Sequence, residues 1–70
     1  MTFYEIAQTL KALHGMLGHD GSLADNAIFN AIDLIWISLH KAGDAESVQK
    51  HMDGDGLYPY LKQQGFFANK

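Results

Sequence analysis

The most distinctive pattern in this chain is an apolar segment that runs from Leu23 to Ala42. Thirteen of its twenty residues are apolar. A surface helix needs an apolar arc of only about 100° to pack against a core. On a wheel with 100° per residue, ten of these residues fill an arc of about 220°: Leu34, Ala27, Ala31, Ala24, Ile35, Ile28, Leu39, Ile32, Trp36 and Phe29. The segment therefore predicts a helix that needs cover on more than one side.

An earlier apolar pattern predicts a first helix from about residue 3 to residue 17. Thr2 and Glu5 stand three residues apart at its start, which is the spacing of a capping box. Gly18 is suited to the left-handed conformation that often ends a helix. Seven apolar residues share one face of this helix: Phe3, Ile6, Ala7, Leu10, Leu13, Met16 and Leu17.

The long apolar segment carries its own start and stop signals. Ser22 is the predicted N-cap of the second helix, with Asp25 three residues later as its capping-box partner. Gly43 is the predicted stop. The second helix is therefore expected over residues 23–42.

Shorter patterns predict a third helix over about 45–52 and one or two helical turns over 57–64. No segment has the period-two alternation of a strand. The chain is therefore predicted to be all-α, as a single small domain over residues 1–70. A short connection between the first two helices predicts a long antiparallel helical hairpin, followed by the short third helix and an aromatic C-terminal tail. The tail contributes four aromatic residues: Tyr58, Tyr60, Phe66 and Phe67.

The length of the chain changes how the apolar surplus is interpreted. A chain of 70 residues buries only about 60% of its unfolded surface, and small domains compensate with disulfides, metals or oligomerisation. Cysteine is absent, so disulfides are excluded. We therefore expect a homodimer in which two hairpins form a four-helix-type bundle. The predicted dimer interface consists of Ala27, Ala31, Ile28 and Ile35.

The charges of the chain argue against a nucleic-acid partner. The net charge is −3, and the five basic residues are all lysines. Arginine supplies the planar fork that reads phosphates and base edges, and no basic cluster replaces it here. Acidic and amide residues also interrupt the long apolar segment, so no membrane span is predicted. With no leader sequence recognisable at Met1, we expect a cytoplasmic protein.

Candidate chemistry in the sequence is weak. Asp53-Gly-Asp-Gly56 does not match a calcium-binding loop, because Leu57 and Tyr58 occupy the fifth and sixth positions. The four histidines lack the short paired spacings of a zinc site and are interpreted as solvent-exposed or helix-end residues. No serine stands in a nucleophile motif, and no phosphate-binding loop occurs. We therefore expect no enzyme, no cofactor and no bound metal.

The remaining candidates are aromatic residues at the border of the apolar arc. Large aromatic side chains in such positions are typical anchors of protein interfaces. The predicted protein-binding residues are Phe29, Trp36, Ile37, Tyr58 and Tyr60. The alternative is that the tail folds back and covers Trp36 and Phe29 within one chain, and a tail that crosses to a second copy is a further possibility.

These features favour a non-catalytic protein-binding regulator that inhibits or sequesters a larger protein through its helices. Small acidic helical proteins without cysteine are common among phage and mobile-element accessory genes, so we expect such a role here. Two alternatives remain at this stage. One is a helix-turn-helix DNA-binding regulator, and the other is a structural subunit of a larger assembly.

The wheel predicts different outcomes for two isoleucines of the second helix. Ile32 lies deep in the apolar arc, so Ile32→Asp should unfold the chain by burying an unpaired carboxylate at a cost of several kcal/mol. Ile37 stands among polar residues, so Ile37→Asp should leave the fold intact. Thermal unfolding followed by circular dichroism measures both effects. Equal destabilisation of the two variants would contradict this orientation of the helix.

Overall fold

The computed structural model describes residues 1–54 and 56–68, and every regular element in them is a helix. The elements are α1 (Phe3–Gly15), α2 (Leu23–Ala42), α3 (Ala45–Gln49) and α4 (Leu57–Gln63). The predicted all-α class is therefore confirmed for these residues, which form a compact globule. The bounds of α2 agree with the prediction, whereas α1, α3 and α4 end earlier than predicted. Asp55, Asn69 and Lys70, which belong to the predicted loop and tail, lie outside the described residues.

The start of α1 is fixed by the predicted capping box. The Thr2 side-chain oxygen accepts from the Glu5 backbone N–H at 3.1 Å, and the Thr2 backbone N–H donates to Glu5 Oε1 at 3.0 Å. Accepting this bond lowers the pKa of the Glu5 carboxyl. The end of α1 differs from the prediction. Met16 caps it in a right-handed conformation, and the first left-handed residue of the following turn is His19, with φ of 55°, rather than Gly18.

A buried carboxylate holds the connection between α1 and α2. Ser22 caps α2 as predicted, because its hydroxyl accepts from the Asp25 backbone N–H at 3.1 Å. The Asp25 side chain does not return a capping-box bond. It accepts from the Gly18 N–H at 2.9 Å and from the Asp20 N–H at 3.1 Å, and Asp25 is only 4% exposed. The carboxylate also lies in the first turn of α2, where the helix dipole favours negative charge.

A single core joins all four helices and the residues that follow α4. Helix α1 contacts both α2 and α3, and α3 contacts α2. The core is thus shared by elements from both ends of the chain. Its buried apolar residues are Ala7, Leu10, Ile32, Trp36, Leu39, Ala45, Val48, Met52, Tyr58 and Phe67.

Helix α3 begins at Ala45 as predicted and ends earlier than predicted, at Gln49. Asp44 makes no side-chain capping bond and already has a right-handed conformation. Beyond Gln49 the chain continues in hydrogen-bonded turns, in which the Met52 N–H donates to the Gln49 carbonyl at 3.0 Å. Asp53, with φ of 54°, then reverses the chain. The predicted end near residue 52 therefore corresponds to the end of these turns.

The two isoleucines used to orient α2 are both in contact with the core. Ile32 is fully buried, as predicted. Ile37 is half-buried and packs against the core, although its neighbours on the wheel are polar. The wheel of a single helix does not show the apolar neighbours that other elements supply. Ile37→Asp is consequently expected to be destabilising, although less so than Ile32→Asp.

Removal of the Asp25 carboxylate should weaken the fold. Asp25→Ala leaves the Gly18 and Asp20 N–H groups without their acceptor, which costs about 1–3 kcal/mol. Asp44→Ala is the matched control, because Asp44 is also an aspartate at the beginning of a helix but its side chain makes no capping bond. Urea unfolding of both variants measures the difference. Equal stabilities of the two variants would show that Asp25 does not hold the turn.

Candidate functional site

The C-terminal aromatic residues pack onto α2 within one chain. Trp36 is fully buried and stacks on Tyr58, with ring centroids 5.1 Å apart and planes 14° apart. Phe67 is also buried and lies against Tyr58, at a centroid distance of 5.4 Å. Trp36 and Tyr58 were predicted as surface anchors, and this position differs from that expectation. The folded-back tail, to which Tyr58 belongs, packs over Trp36. Neither the Trp36 ring nor the Tyr58 ring is therefore available on the surface of a single chain.

His40 is part of this aromatic cluster. Its Nδ1 lies 3.0 Å from the Tyr58 hydroxyl oxygen, and its ring stacks on Phe67 at 4.4 Å. The interpretation of His40 as a solvent-exposed or helix-end residue was therefore incomplete, because the ring is half-buried although it is near the end of α2. Trp36 Nε1 has no hydrogen-bond partner in residues 1–54 and 56–68. Trp36 thus contributes packing rather than polar recognition.

The other predicted protein-binding residues remain at least partly accessible. Phe29 on α2 is 46% exposed, and Tyr60 on α4 is 57% exposed. Ile37 is half-buried, on the side of α2 that also carries Asp33. The structure therefore separates the five predicted residues into a buried pair and three that reach the surface.

An apolar groove lies between α1 and α2, with a volume of about 410 Å³. Its walls come from the beginning of the chain and the second half of α2, and none of the lining side chains is charged. Leu34 is 63% exposed at this groove. The lining residues are Met1, Ile6, Thr9, Leu34, Ile35, Ser38 and Leu39. Such an uncharged concave surface is suited to an apolar side chain.

The predicted dimer residues occupy two depths on α2. Ala27 is exposed, and Ala31 is half-buried. Ile28 and Ile35 are half-buried and pack against the core, and Ile35 also lines the groove. The four residues are therefore not equally accessible to a second chain.

Leu23 and Ser38 were missed as candidate interface residues. Leu23 is 88% exposed at the first position of α2, and Ser38 lines the groove at the other end of the helix. The helical wheel did indicate two candidate surfaces on α2, because Leu34 and Ala27 lie at one edge of the apolar arc and Trp36 lies near the other. The wheel gives the width of the arc. It does not say which edge faces the core.

A second depression of about 340 Å³ lies beside α3 and α4. Two of its charged groups form an ion pair, since Lys62 Nζ lies 3.2 Å from Glu46 Oε1. Lys62 Nζ also lies 5.2 Å from the centroid of the Tyr58 ring. Exposed ion pairs of this kind contribute little stability. This depression is therefore interpreted as a packed edge of the fold.

The described residues offer neither a metal site nor a membrane span. In residues 1–54 and 56–68, no group of three or more histidine, aspartate or glutamate side chains could hold a metal ion. Asp55 of the rejected calcium loop is outside these ranges. No helix among the described residues is long and apolar enough to cross a membrane.

Comparisons of the chain with models of protein families, with curated proteins and with solved structures gave no match. Its function is therefore inferred from its own surface. The groove between α1 and α2 and the exposed rings of Phe29 and Tyr60 are the features of that surface with the character of binding sites.

Asp33 should make stability depend on pH in an uncommon direction. Burial raises the pKa of the Asp33 carboxyl above its ordinary value of 3.8. Because the folded state disfavours the ionised carboxylate, the free energy of unfolding is lower at neutral pH than it would be with an unshifted pKa. This loss of stability disappears as the pH falls through the raised pKa and the carboxylate is protonated. Asp33→Asn should therefore raise the unfolding temperature at neutral pH, and the gain should shrink in acid. An unchanged or lower unfolding temperature at neutral pH would contradict this.

Proposed function

We propose that this chain is a non-catalytic protein-binding module that regulates or inhibits a larger protein and acts as a homodimer. The observation that carries the proposal is the uncharged groove between α1 and α2, with Leu34 exposed beside it. Contiguous exposed apolar surface on a small soluble protein marks an interaction site more often than a defect of packing.

The amount of exposed apolar surface supports this proposal. The described residues include eight large apolar side chains that remain exposed in the isolated chain. They lie on or next to the two longer helices and on α4: Met1, Phe3, Tyr4, Met16, Leu23, Phe29, Leu34 and Tyr60. The four helices of residues 1–54 and 56–68 leave all of them exposed.

The proposed dimer is built from two antiparallel hairpins of α1 and α2. Two contacts support the antiparallel direction. Asp25, early in α2, bonds to Gly18 just after α1, whereas Ile6, early in α1, shares the groove with Leu39, late in α2. Two such hairpins, packed groove to groove, would make a four-helix-type bundle. Ala27 and Ala31 would then permit close approach of the second chain, with Ile28 and Ile35 beneath them.

The proposed contact with the larger protein is made by Phe29 and Tyr60, with Ile37 in support. Aromatic rings provide large contact areas at a small cost in conformational entropy, and a few such residues dominate most interfaces. In this arrangement Trp36 and Tyr58 support the surface from the core instead of touching the partner. The partly buried Ile37 contributes packing at the base of that surface.

The described lysines favour a protein partner over a nucleic acid. Lys11 pairs with Asp53, and Lys62 pairs with Glu46, so two of the four described lysines have a nearby carboxylate. The other two, Lys41 and Lys50, lie on different helices or turns and form no ion pair with the described residues. A surface that recognises phosphates requires several cations that converge without such partners.

Substitution of the exposed rings should separate binding from folding. The partner is first captured from a cell lysate with the intact protein, identified, purified and titrated against each variant. Phe29→Ala and Tyr60→Ala should each weaken its affinity more than tenfold, because truncation of an interface anchor costs about 2 kcal/mol or more. Tyr4→Ala is the matched control, because Tyr4 and Tyr60 are both 57% exposed.

Circular dichroism on the same variants distinguishes an interface residue from a scaffold residue. The three exposed-ring variants should retain the helical signal, whereas Trp36→Ala should lose it, because truncation of a buried tryptophan costs about 3–5 kcal/mol. Undiminished affinity of both Phe29→Ala and Tyr60→Ala for the purified partner would overturn the proposed surface.

A further inference from the structure

We propose that Leu23 of one copy fills the groove beside Ser38 of a second copy, so that two α2 helices pack antiparallel about a two-fold axis. The inference rests on the dimer in the proposed function and specifies which residues meet in it. The side chain that fills each groove comes from the N-terminal end of α2 in the other copy.

Leu23 has the properties required of the inserted side chain. It is the most exposed large apolar residue of α2, at 88%, and its own chain offers it no cover. It stands directly after the N-cap Ser22, in a turn held by the Asp25 bonds. A rigidly held, projecting leucine loses little further freedom when it is buried.

The same antiparallel register pairs residues of complementary size along the whole contact. If Leu23 lies opposite Ser38, then Ala27 lies opposite Leu34, and Asn30 lies opposite Ala31, because antiparallel helices advance by equal steps in opposite directions. The large exposed residues Leu23 and Leu34 thus each meet a small residue of the second copy, Ser38 and Ala27 respectively. A two-fold axis repeats every contact, so both grooves of the dimer are filled.

Charge complementarity favours a second copy of this chain over a different partner. Beyond Ser38, the same packing brings Lys41, at the end of α2, towards the turn that precedes α2 in the second copy, and this turn carries Asp20. Both residues are exposed, and Lys41 forms no ion pair with any of the described residues. Two such opposite-charge pairs would flank the contact, one at each end. Opposite charges at the ends of an interface select orientation and register.

A parallel dimer does not have these advantages. Each residue would then meet its own copy, which places Lys41 beside Lys41 and Leu23 beside Leu23. The fifteen residues between Leu23 and Ser38 correspond to about 22 Å along a helix, so neither groove would receive Leu23. The direction of packing is therefore a decisive feature of the proposal.

Sedimentation equilibrium tests the role of Leu23. The unaltered chain should sediment with twice its mass at micromolar concentration, and Leu23→Asp should raise the dimer dissociation constant at least tenfold while its circular dichroism stays unchanged. Tyr60→Asp is the control, since Tyr60 is also exposed but lies on α4. Its dissociation constant should match that of the unaltered chain.

Engineered cysteines test the register without background, because the chain has no cysteine of its own. A mixture of Ala27→Cys and Leu34→Cys chains should form a mixed disulfide on mild oxidation. Ala27→Cys alone should not, because two copies of residue 27 would be about 10 Å apart along the axis, beyond disulfide reach.

The outcomes separate this inference from the wider proposal. A monomer at every concentration would overturn both the dimer and the register. A dimer that tolerates Leu23→Asp, or one in which Ala27→Cys crosslinks to itself, would overturn the register and leave the dimer in place.

Discussion

The stack of Trp36 on Tyr58 is the contact on which the arrangement of this chain depends. It joins the middle of α2 to α4, and Phe67 extends it beyond the end of α4. Without it, the C-terminal third of the chain would have little reason to pack on α2, since α4 has only seven residues and no side-chain cap. The hydrogen bond between His40 and the Tyr58 hydroxyl completes the attachment.

The attachment also decides which part of α2 stays uncovered. The tail occupies one side of the helix and α1 another, with Asp25 holding the α1 connection in place. No described element covers the face that carries Leu34 and Ala27, and both residues are exposed. The wide apolar arc of α2 is thus divided into a covered part, which stabilises the fold, and an exposed part, which is the surface used in the proposed dimer.

Local sequence signals predicted the helices well because their causes are local. Thr2 and Ser22 cap as expected, and Gly43 ends α2 in the left-handed conformation. Helix ends were predicted less well, since α1 ends before Gly18 and α3 ends at Gln49. The errors in burial concern residues whose surroundings come from other parts of the chain. Trp36 is covered by Tyr58 of α4, and the Asp25 bonds depend on the path of the preceding turn. The groove combines Met1 with Ser38, so no pattern within one helix reveals it.

The two proposed contacts use different sides of α2 and can therefore coexist. Phe29 and Leu34 are five positions apart, which places them about 140° from each other around the helix axis. A dimer through Leu34 and the groove would leave Phe29 accessible on both chains. The two-fold axis would then present two identical partner-binding surfaces, and binding at both would strengthen attachment to a repeated or dimeric target. In that arrangement, self-association completes the apolar packing that one chain lacks and also doubles its capacity to bind.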